Sequence, residues 1–538
     1  MTVKNRHFLF GVIILFIAGI VVKLLGLVNY IVLINIEEFG DRGIGIYSAG
    51  FTIYLVLLAI STMGFPAAIS KMVAENIAVG QNYEAHKIFK TTFAFLAIVG
   101  AVFTTLLIGS SKFVAEFIKM PKTAYSVIAL APTIFFAAIM SSFRGYFQGM
   151  QDMVPQAVSQ IIEQIFKLIF SITFVILLLP KGIEWSAAGA TFGTTAGAVC
   201  GTIYLFTLYR RRKKDILESI EESKPSDTDE KQKNTYIIKN LLKLAIPISL
   251  GSIILTISSF IDLATVVNRL LYAGFSGDVA EKMYGQLAGK CQQLVNFPVA
   301  LNMAIATAII PAIAGSMALG ALKSVESKIS SALRLTMAIG ISCSVGMSVL
   351  SEPILNIIYP NQSEGAHILQ VLAYSIIFMA MSQTLAGILQ GLGKVKVTAL
   401  SLLAGAAVKL TVNFILVPIH KINIVGAAYG SIACYMVSAA INYIALRKTF
   451  RFKINVLNTY IKPLIAAAVM GITAIFEYKY LYRYVGNLKI ATLFTVLISI
   501  AVFAVMFILS RAVSHEDLAA IPFGDKLGSA LVKLKLLK

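Results

Sequence analysis

Two charged residues four apart, Glu163 and Lys167, sit inside SQIIEQIFKLIF, residues 159–170, a stretch whose neighbours are almost all apolar. On a helix, positions i and i+4 share a face, so this carboxylate and ammonium are placed to pair. Other ionisable groups interrupt apolar runs in the same way: Lys23, Arg144, Asp262, Arg269, Lys290 and Lys409. A lysine at the centre of a bilayer costs about 2.5–3.5 kcal/mol on insertion scales, and such groups usually face a cavity or a substrate path. Lys23, Lys167 and Lys409 lie deep within their runs, with Asn29 about two turns beyond Lys23. Arg144, Arg269 and Lys290 lie nearer run ends, where a long side chain can snorkel into water. The deep groups are mostly cationic and come from several segments. If they converge, they form a positive cavity suited to an anion, with diphosphate an obvious candidate, since lysine meets phosphate as a point charge. Glu163, Asp262 and Arg269 are then the charge-pairing or ion-coupling groups.

The segments that carry these groups define the class. The chain has 538 residues, 58% hydrophobic and 13% charged. Soluble domains carry about 25% charged residues. The apolar runs are continuous rather than alternating, so helices and not barrel strands cross the bilayer, each needing roughly 20 residues. Fourteen spans are expected: 8–34, 44–66, 88–111, 123–147, 154–180, 186–209, 241–268, 284–317, 329–351, 366–391, 395–418, 424–446, 457–478 and 489–511. The first is too long for a signal peptide and is read as a retained helix. With both termini in the cytoplasm, inner segments hold about three times as many Lys and Arg as outer ones, as the positive-inside rule requires. That bias also explains the net charge of +20. There is no basic surface interleaved with exposed aromatics, so nucleic acid is excluded as a partner. Cys200, Cys291, Cys343 and Cys434 all fall in apolar runs without metal-ligand spacing and read as small packing residues; no metal site is expected.

The two halves look related. With a shift of 242 residues, Gly145, Gln148, Gly149, Ser159 and Lys167 fall on Gly387, Gln390, Gly391, Ser401 and Lys409. With a shift of 237, Gly189 and Gly193 fall on Gly426 and Gly430. Pro66 and Pro311 occupy similar places in the second and eighth spans and are the expected helix breaks or hinges. The expected organisation is therefore an all-α polytopic protein with an internal repeat. Residues 1–209 form a six-helix lobe, 210–236 a charged cytoplasmic linker, and 237–447 a second six-helix lobe. Residues 448–511 form a final helix pair, and 512–538 a basic cytoplasmic tail. Six helices per lobe is an even number, so the lobes run the same way through the membrane.

The stretches VVKLLGLVNYIVL (21–33), STMGFPAAISKMVAE (61–75), FRGYFQGMQDMVPQAVSQIIEQI (143–165) and QLAGKCQQLVNFPVALNMAIATAIIPAIA (286–314) carry a further resemblance. They resemble the multidrug/oligosaccharidyl-lipid/polysaccharide exporter (MOP) superfamily. Within it they are similar to the branch of polysaccharide-export proteins, MurJ-type lipid II flippases and stage V sporulation protein B-type proteins. The resemblance implies an alternating-access flippase for undecaprenyl-diphosphate-linked saccharides, with the peptidoglycan precursor lipid II foremost. It implies substrate contact for Lys23, which matches a helix 1 cation of the branch, for Asn29 at the later helix 1 position, and for Lys290 in helix 8. Lys167, Lys409 and Arg144 complete the expected binding set. The resemblance also places the prenyl tail near the last two helices. It implies a monomer in the cytoplasmic membrane of a bacterium, with membrane lipids and cell-wall synthesis enzymes as partners.

No Walker A pattern is present, so no ATP site and no organic cofactor is expected; an ion or the membrane potential would supply the drive. Two other classes compete. A drug/cation antiporter of the same fold would want free carboxylates in its cavity, where lysines dominate here. An enzyme acting on lipid-linked sugars would want paired carboxylates or a nucleophile motif in sizeable outer loops, and the outer loops are short. The expectation is a transporter and not an enzyme.

Overall fold

The computed structural model describes residues 3–214, 218, 233–450 and 455–510. Most of the linker and the whole basic tail lie outside these residues. Among the described residues there are helices and turns but no strand. Thirteen described segments are long and apolar enough to cross a membrane. Each overlaps one expected span. The expected seventh span falls within the 39-residue helix Asn234–Tyr272, which is not among the thirteen.

The chain divides into two compact units. The first comprises the chain up to Asn268 plus Gly277–Gly285. Its helices are α1 (Val3–Ile34), α2 (Gly40–Ser61), α3 (Phe65–Ala78), α4 (Asn82–Phe117), α5 (Thr123–Gly149), α6 (Val154–Leu178), α7 (Ile183–Arg211), most of α8 (Asn234–Tyr272) and α9 (Gly277–Tyr284). The second unit comprises Arg269–Ser276 and the described chain from Gln286 onward. It holds α10 (Gln292–Ala318), α11 (Leu322–Val349), α12 (Ser351–Ile358), α13 (Ala366–Leu372), α14 (Ser375–Gly391), α15 (Val395–Leu416), α16 (Val425–Thr449), α17 (Lys462–Val485) and α18 (Leu488–Leu509).

The seventh span thus packs with the first six, not with the second lobe as its place after the linker suggested. The reason is visible in the core of the first unit. Ile237, Leu241 and Ala245 of α8 are fully buried in one cluster with Ile69 and Val73 of α3, Phe89 of α4, Phe143 and Phe147 of α5, and Leu205 of α7. In a bilayer, hydrophobicity does not drive such packing, because lipid is as apolar as leucine; close van der Waals fit does. Small residues supply that fit. A Cβ on Gly145 would lie 2.9 Å from the Pro66 carbonyl oxygen, and one on Gly149 would lie 2.7 Å from Val73 Cβ, so α5 can close on α3. In the second unit Gly387 and Gly391 of α14 do the same work against Ala306, Ile310 and Ile313 of α10.

The two prolines expected to break helices differ. The chain leaves helix after Ser61 and resumes at Phe65, with Pro66 in the first turn of α3, where its missing N–H costs nothing. The Gly64 N–H in that break reaches Ser249 Oγ at 3.2 Å. Pro311, by contrast, sits inside α10, which runs on unbroken to Ala318. One residue past the proline, Lys328 Nζ of α11 donates to the Ala312 carbonyl at 3.0 Å and to Ser316 Oγ at 2.6 Å, which ties α11 to α10 there. The irregularity in the eighth span lies earlier, as a π-helical turn over Gly285–Cys291 that carries Lys290. The tenth span breaks between α13 and α14 without any proline, and the thirteenth opens with a π-turn at Leu457–Ile461.

Candidate functional site

Helix α6 presents Ser159, Glu163, Lys167 and Ser171 at four-residue steps, a spacing that keeps them along one face. Ser159 and Ser171 are fully buried and Lys167 is 6% exposed. The face is held close to α7 by a stripe of glycines, also four apart. A side chain at Gly193 would overlap Ser171, one at Gly197 would overlap the Glu163 carbonyl, and one at Gly201 would lie 3.0 Å from Met140 Sδ.

The carboxylate of Glu163 does not pair with Lys167. Arg144, from the end of α5, donates from Nε to Ser159 Oγ at 3.0 Å and from Nη2 to Glu163 Oε2 at 2.9 Å. Arg144 is therefore a partly buried bridge between α5 and α6, its guanidinium directed inward and not to the membrane surface. A guanidinium offers several fixed donors and holds two acceptors at once, which an ammonium on a flexible stem does less well.

That arrangement leaves the Lys167 ammonium over the ring of Phe51 in α2, 4.4 Å from its centroid. Among the described residues it makes no ion pair or hydrogen bond. A desolvated cation–π contact is worth about 2 kcal/mol, and it leaves the three N–H donors of the ammonium free. Phe51 stacks on Tyr47 at 5.8 Å, and Tyr47 packs edge-on against Tyr30 of α1 at 5.4 Å. Next to Tyr30, Asn29 is 1% exposed, and neither its Oδ1 nor its Nδ2 has a hydrogen-bond partner. The site in the first unit is thus two cations, one neutralised carboxylate, an aromatic floor and an unsatisfied amide. Its formal excess is one positive charge, held by the lysine.

Lys23 is exposed on α1, and among the described residues it has no hydrogen-bond or ion-pair partner. Asp262 is buried on α8 at 8% exposure. In the second unit, Lys409 is 2% exposed on α15 beside Asn413, one turn further on. Gly430 of α16 faces both, and a side chain there would overlap Asn413 Oδ1. The positions matched by the sequence shifts therefore make matching close approaches within each unit. One difference is informative: where α7 offers Gly197 to the Glu163 backbone, α15 offers Gly405 to the Cys434 backbone, so the small residue has changed sides at the crossing. Arg269 stacks on Phe414, 3.4 Å from the ring centroid.

Lys290, expected in the binding set, is bonded to backbone in this structure. It is fully buried, and its Nζ donates to the carbonyls of Gln362 at 2.5 Å and Glu364 at 2.8 Å. It clamps the loop between α12 and α13 onto the π-turn. Two groups went unmarked in the sequence. Arg42, at the start of α2, pairs with Asp278 and with Glu281 of α9, the latter at 2.9 Å, and Lys122 lies 3.7 Å from Asp278. His86 Nδ1 lies 3.3 Å from Tyr146 Oη and its Nε2 lies 3.5 Å from Tyr209 Oη, within an aromatic cluster.

Membrane-length helices in two units, each with an intramembrane lysine against a glycine-lined neighbour, define an all-α polytopic membrane protein. Residues 8–317 match the polysaccharide biosynthesis protein family and residues 288–415 match MatE. The chain belongs to the polysaccharide biosynthesis protein family, in the MOP superfamily. It is 27% identical to stage V sporulation protein B of Bacillus subtilis, over 97% of this chain and 99% of that protein. It is 29% identical to lipid II flippase MurJ of the same organism, over 86% of this chain and 87% of that one. Among solved structures it resembles lipid II flippase MurJ in an inward closed conformation, with TM-score 0.66 and 16% identity, over 92% of this chain and 98% of that one. An inward-facing multidrug resistance MATE family transporter also gives TM-score 0.66, at 14% identity, over 79% and 94% of the two chains.

Proposed function

We propose that this protein is a flippase that moves a polyprenyl-diphosphate-linked saccharide, lipid II foremost, from the inner to the outer leaflet of a bacterial cytoplasmic membrane by alternating access. The observation that carries the reading is Lys167: a buried ammonium with an aromatic face as its contact and its donors unspent. A diphosphate supplies the acceptors and the negative charge that such a group lacks. Lys409 is the corresponding group of the second unit, and the exposed Lys23 is the cation a headgroup meets first. The full-length similarity to stage V sporulation protein B and to MurJ supports the same cargo class. The antiporter alternative needs a carboxylate free to exchange a cation, and Glu163 is already committed to Arg144. The protein's work is relocation and not bond making. An inside-negative potential favours outward movement of an anion by about 2.3 kcal/mol per charge per 100 mV, so no nucleotide is needed.

The test is to make this chain the only lipid II flippase in a depletion strain and to measure lipid II exposed at the outer surface. Exposure restored by the parent and lost in Lys167→Gln, Lys409→Gln and Lys23→Gln, at equal protein levels, supports lipid II transport through a cationic site. No exposure from a well-inserted parent assigns the cargo to another prenyl-linked saccharide. Exposure indifferent to all three substitutions overturns the role given to the lysines.

A further inference from the structure

The second unit contains a cavity of about 470 Å³, well within the 300–1,000 Å³ of small-molecule sites. Its floor is the junction of α11 and α12, one wall is α13, and the other is the far end of α17. The polar lining is Ser348, Ser351, Glu352, His367, Gln370, Tyr478 and Lys479. Glu352, His367, Gln370 and Lys479 are exposed along this open cavity, and among the described residues neither Glu352 nor Lys479 takes part in an ion pair and His367 and Gln370 make no hydrogen bond, so a ligand would displace only water from them. Tyr478 stacks on Tyr482, with ring centroids 6.0 Å apart and planes 10° from parallel, so its ring is held in place from one side.

The chemistry of this lining selects among ligands. One cation and one carboxylate give no net charge, which disfavours a bare anion or cation. Among the described residues there is no group of three His, Cys, Asp or Glu to hold a metal. The charged and amide groups disfavour a prenyl or acyl chain, which would leave them unsatisfied. A pyranose fits what remains. Its hydroxyls donate and accept together, as the mixture of Glu, Gln, His, Ser and Lys requires, and its C–H face lies against a fixed aromatic ring.

The position in the chain agrees. The π-turn at Leu457–Ile461 and α17 form 29 continuous helical residues, about 43 Å at 1.5 Å per residue, against a hydrocarbon core of about 30 Å. The sequence EYKYLYRYV at its end, residues 477–485, therefore projects beyond the hydrocarbon, and Tyr480 and Tyr484 are 61% and 70% exposed. By the distribution of Lys and Arg, this end faces outward.

We infer that this cavity is a second saccharide-binding site, on the outer end of the second unit, which takes the sugar of the cargo without its diphosphate. It rests on the saccharide cargo proposed above and adds a place where the sugar is held after crossing. The test uses the full chain in lipid nanodiscs and saturation-transfer NMR with soluble N-acetylglucosamine, N-acetylmuramic acid, glucose and glucuronic acid at millimolar concentration. At least one sugar should give a signal. Tyr478→Ala and His367→Ala should each weaken it about fivefold, the loss of one stacking or hydrogen-bonding partner. Tyr478→Phe, which keeps the ring, should retain it. No signal from any of the four sugars overturns the inference, and so does a signal indifferent to both alanine variants. Lipid II exposure in the depletion strain, run with the same variants, is read separately: a parent that binds sugar but exposes no lipid II contradicts the lipid II assignment and leaves the sugar site standing.

Discussion

Lys167 and Glu163 are four residues apart and yet do different jobs. A carboxylate with two candidate cations takes the one that brings fixed, multiple donors, and Arg144 satisfies Ser159 at the same time. Glu163→Gln keeps an acceptor for Arg144 but removes the charge that neutralises it, and should therefore lower stability by about 1 kcal/mol, the difference between a charged and a neutral hydrogen bond, seen as a lower midpoint of thermal unfolding in detergent. Lys167→Gln should have the opposite profile. It removes a ring contact together with the cost of holding an ammonium out of water, and the two offset, so unfolding should move little while transport is lost. If Lys167→Gln unfolds the protein and Glu163→Gln does not, the roles assigned to the two residues are reversed.

Helix α6 can present these groups only because α7 yields to it. The glycine stripe on α7 places backbone against backbone, and an added methyl at Gly197 has no room, since the atom it meets is the Glu163 carbonyl and not a movable side chain. Gly197→Ala should cost about 1–3 kcal/mol by overpacking and, by pushing Glu163 off Arg144, reduce transport. Gly26→Ala on α1, where a Cβ meets nothing within 4 Å, is the matched control and should be silent in both unfolding and transport. At this scale the sequence was readable where a pattern is local. Each span announces itself as an apolar run, and Lys167, Glu163 and Lys409 announce themselves by breaking one. What was not readable depends on partners far along the chain. Glu163 prefers a residue 19 positions away, Lys290 is spent on carbonyls more than 70 positions away, and α13 separates from α14 with no proline to mark it. Pro311 misled in the other direction, since α10 runs through it to Ala318 without a break.

At the scale of the molecule, the division into units does not follow the charged linker. The short helix α9 precedes the π-turn in sequence but belongs to the first unit, whereas the chain from Gln286 onward belongs to the second. Two devices hold α9 there. Gly285 allows its end to meet the Asp41 backbone, and Gly45 admits the Glu281 carbonyl, so α2 and α9 touch through their main chains. Arg42 then pairs with both acidic residues of α9. The two pairs are unequal. The Asp278 side chain is 66% exposed, and an exposed pair is worth under about 1 kcal/mol. The Glu281 side chain is 7% exposed, and losing its one cation among the described residues leaves a buried carboxylate without that compensation. Arg42→Ala should therefore speed amide hydrogen exchange across Gly277–Gly285 by about 10- to 100-fold, as about 1–3 kcal/mol of lost stabilisation implies, with exchange in the aromatic core around Phe89 and Phe143 unchanged. Asp278→Asn should do far less. Exchanging the charges, Arg42→Glu with Glu281→Arg, should recover most of the protection if the pair itself is what fastens α9. If Arg42→Ala leaves exchange in this segment at the parental rate, the glycine-mediated backbone contact alone holds α9, and the chain passes from one unit to the next through a joint fixed by shape and not by charge.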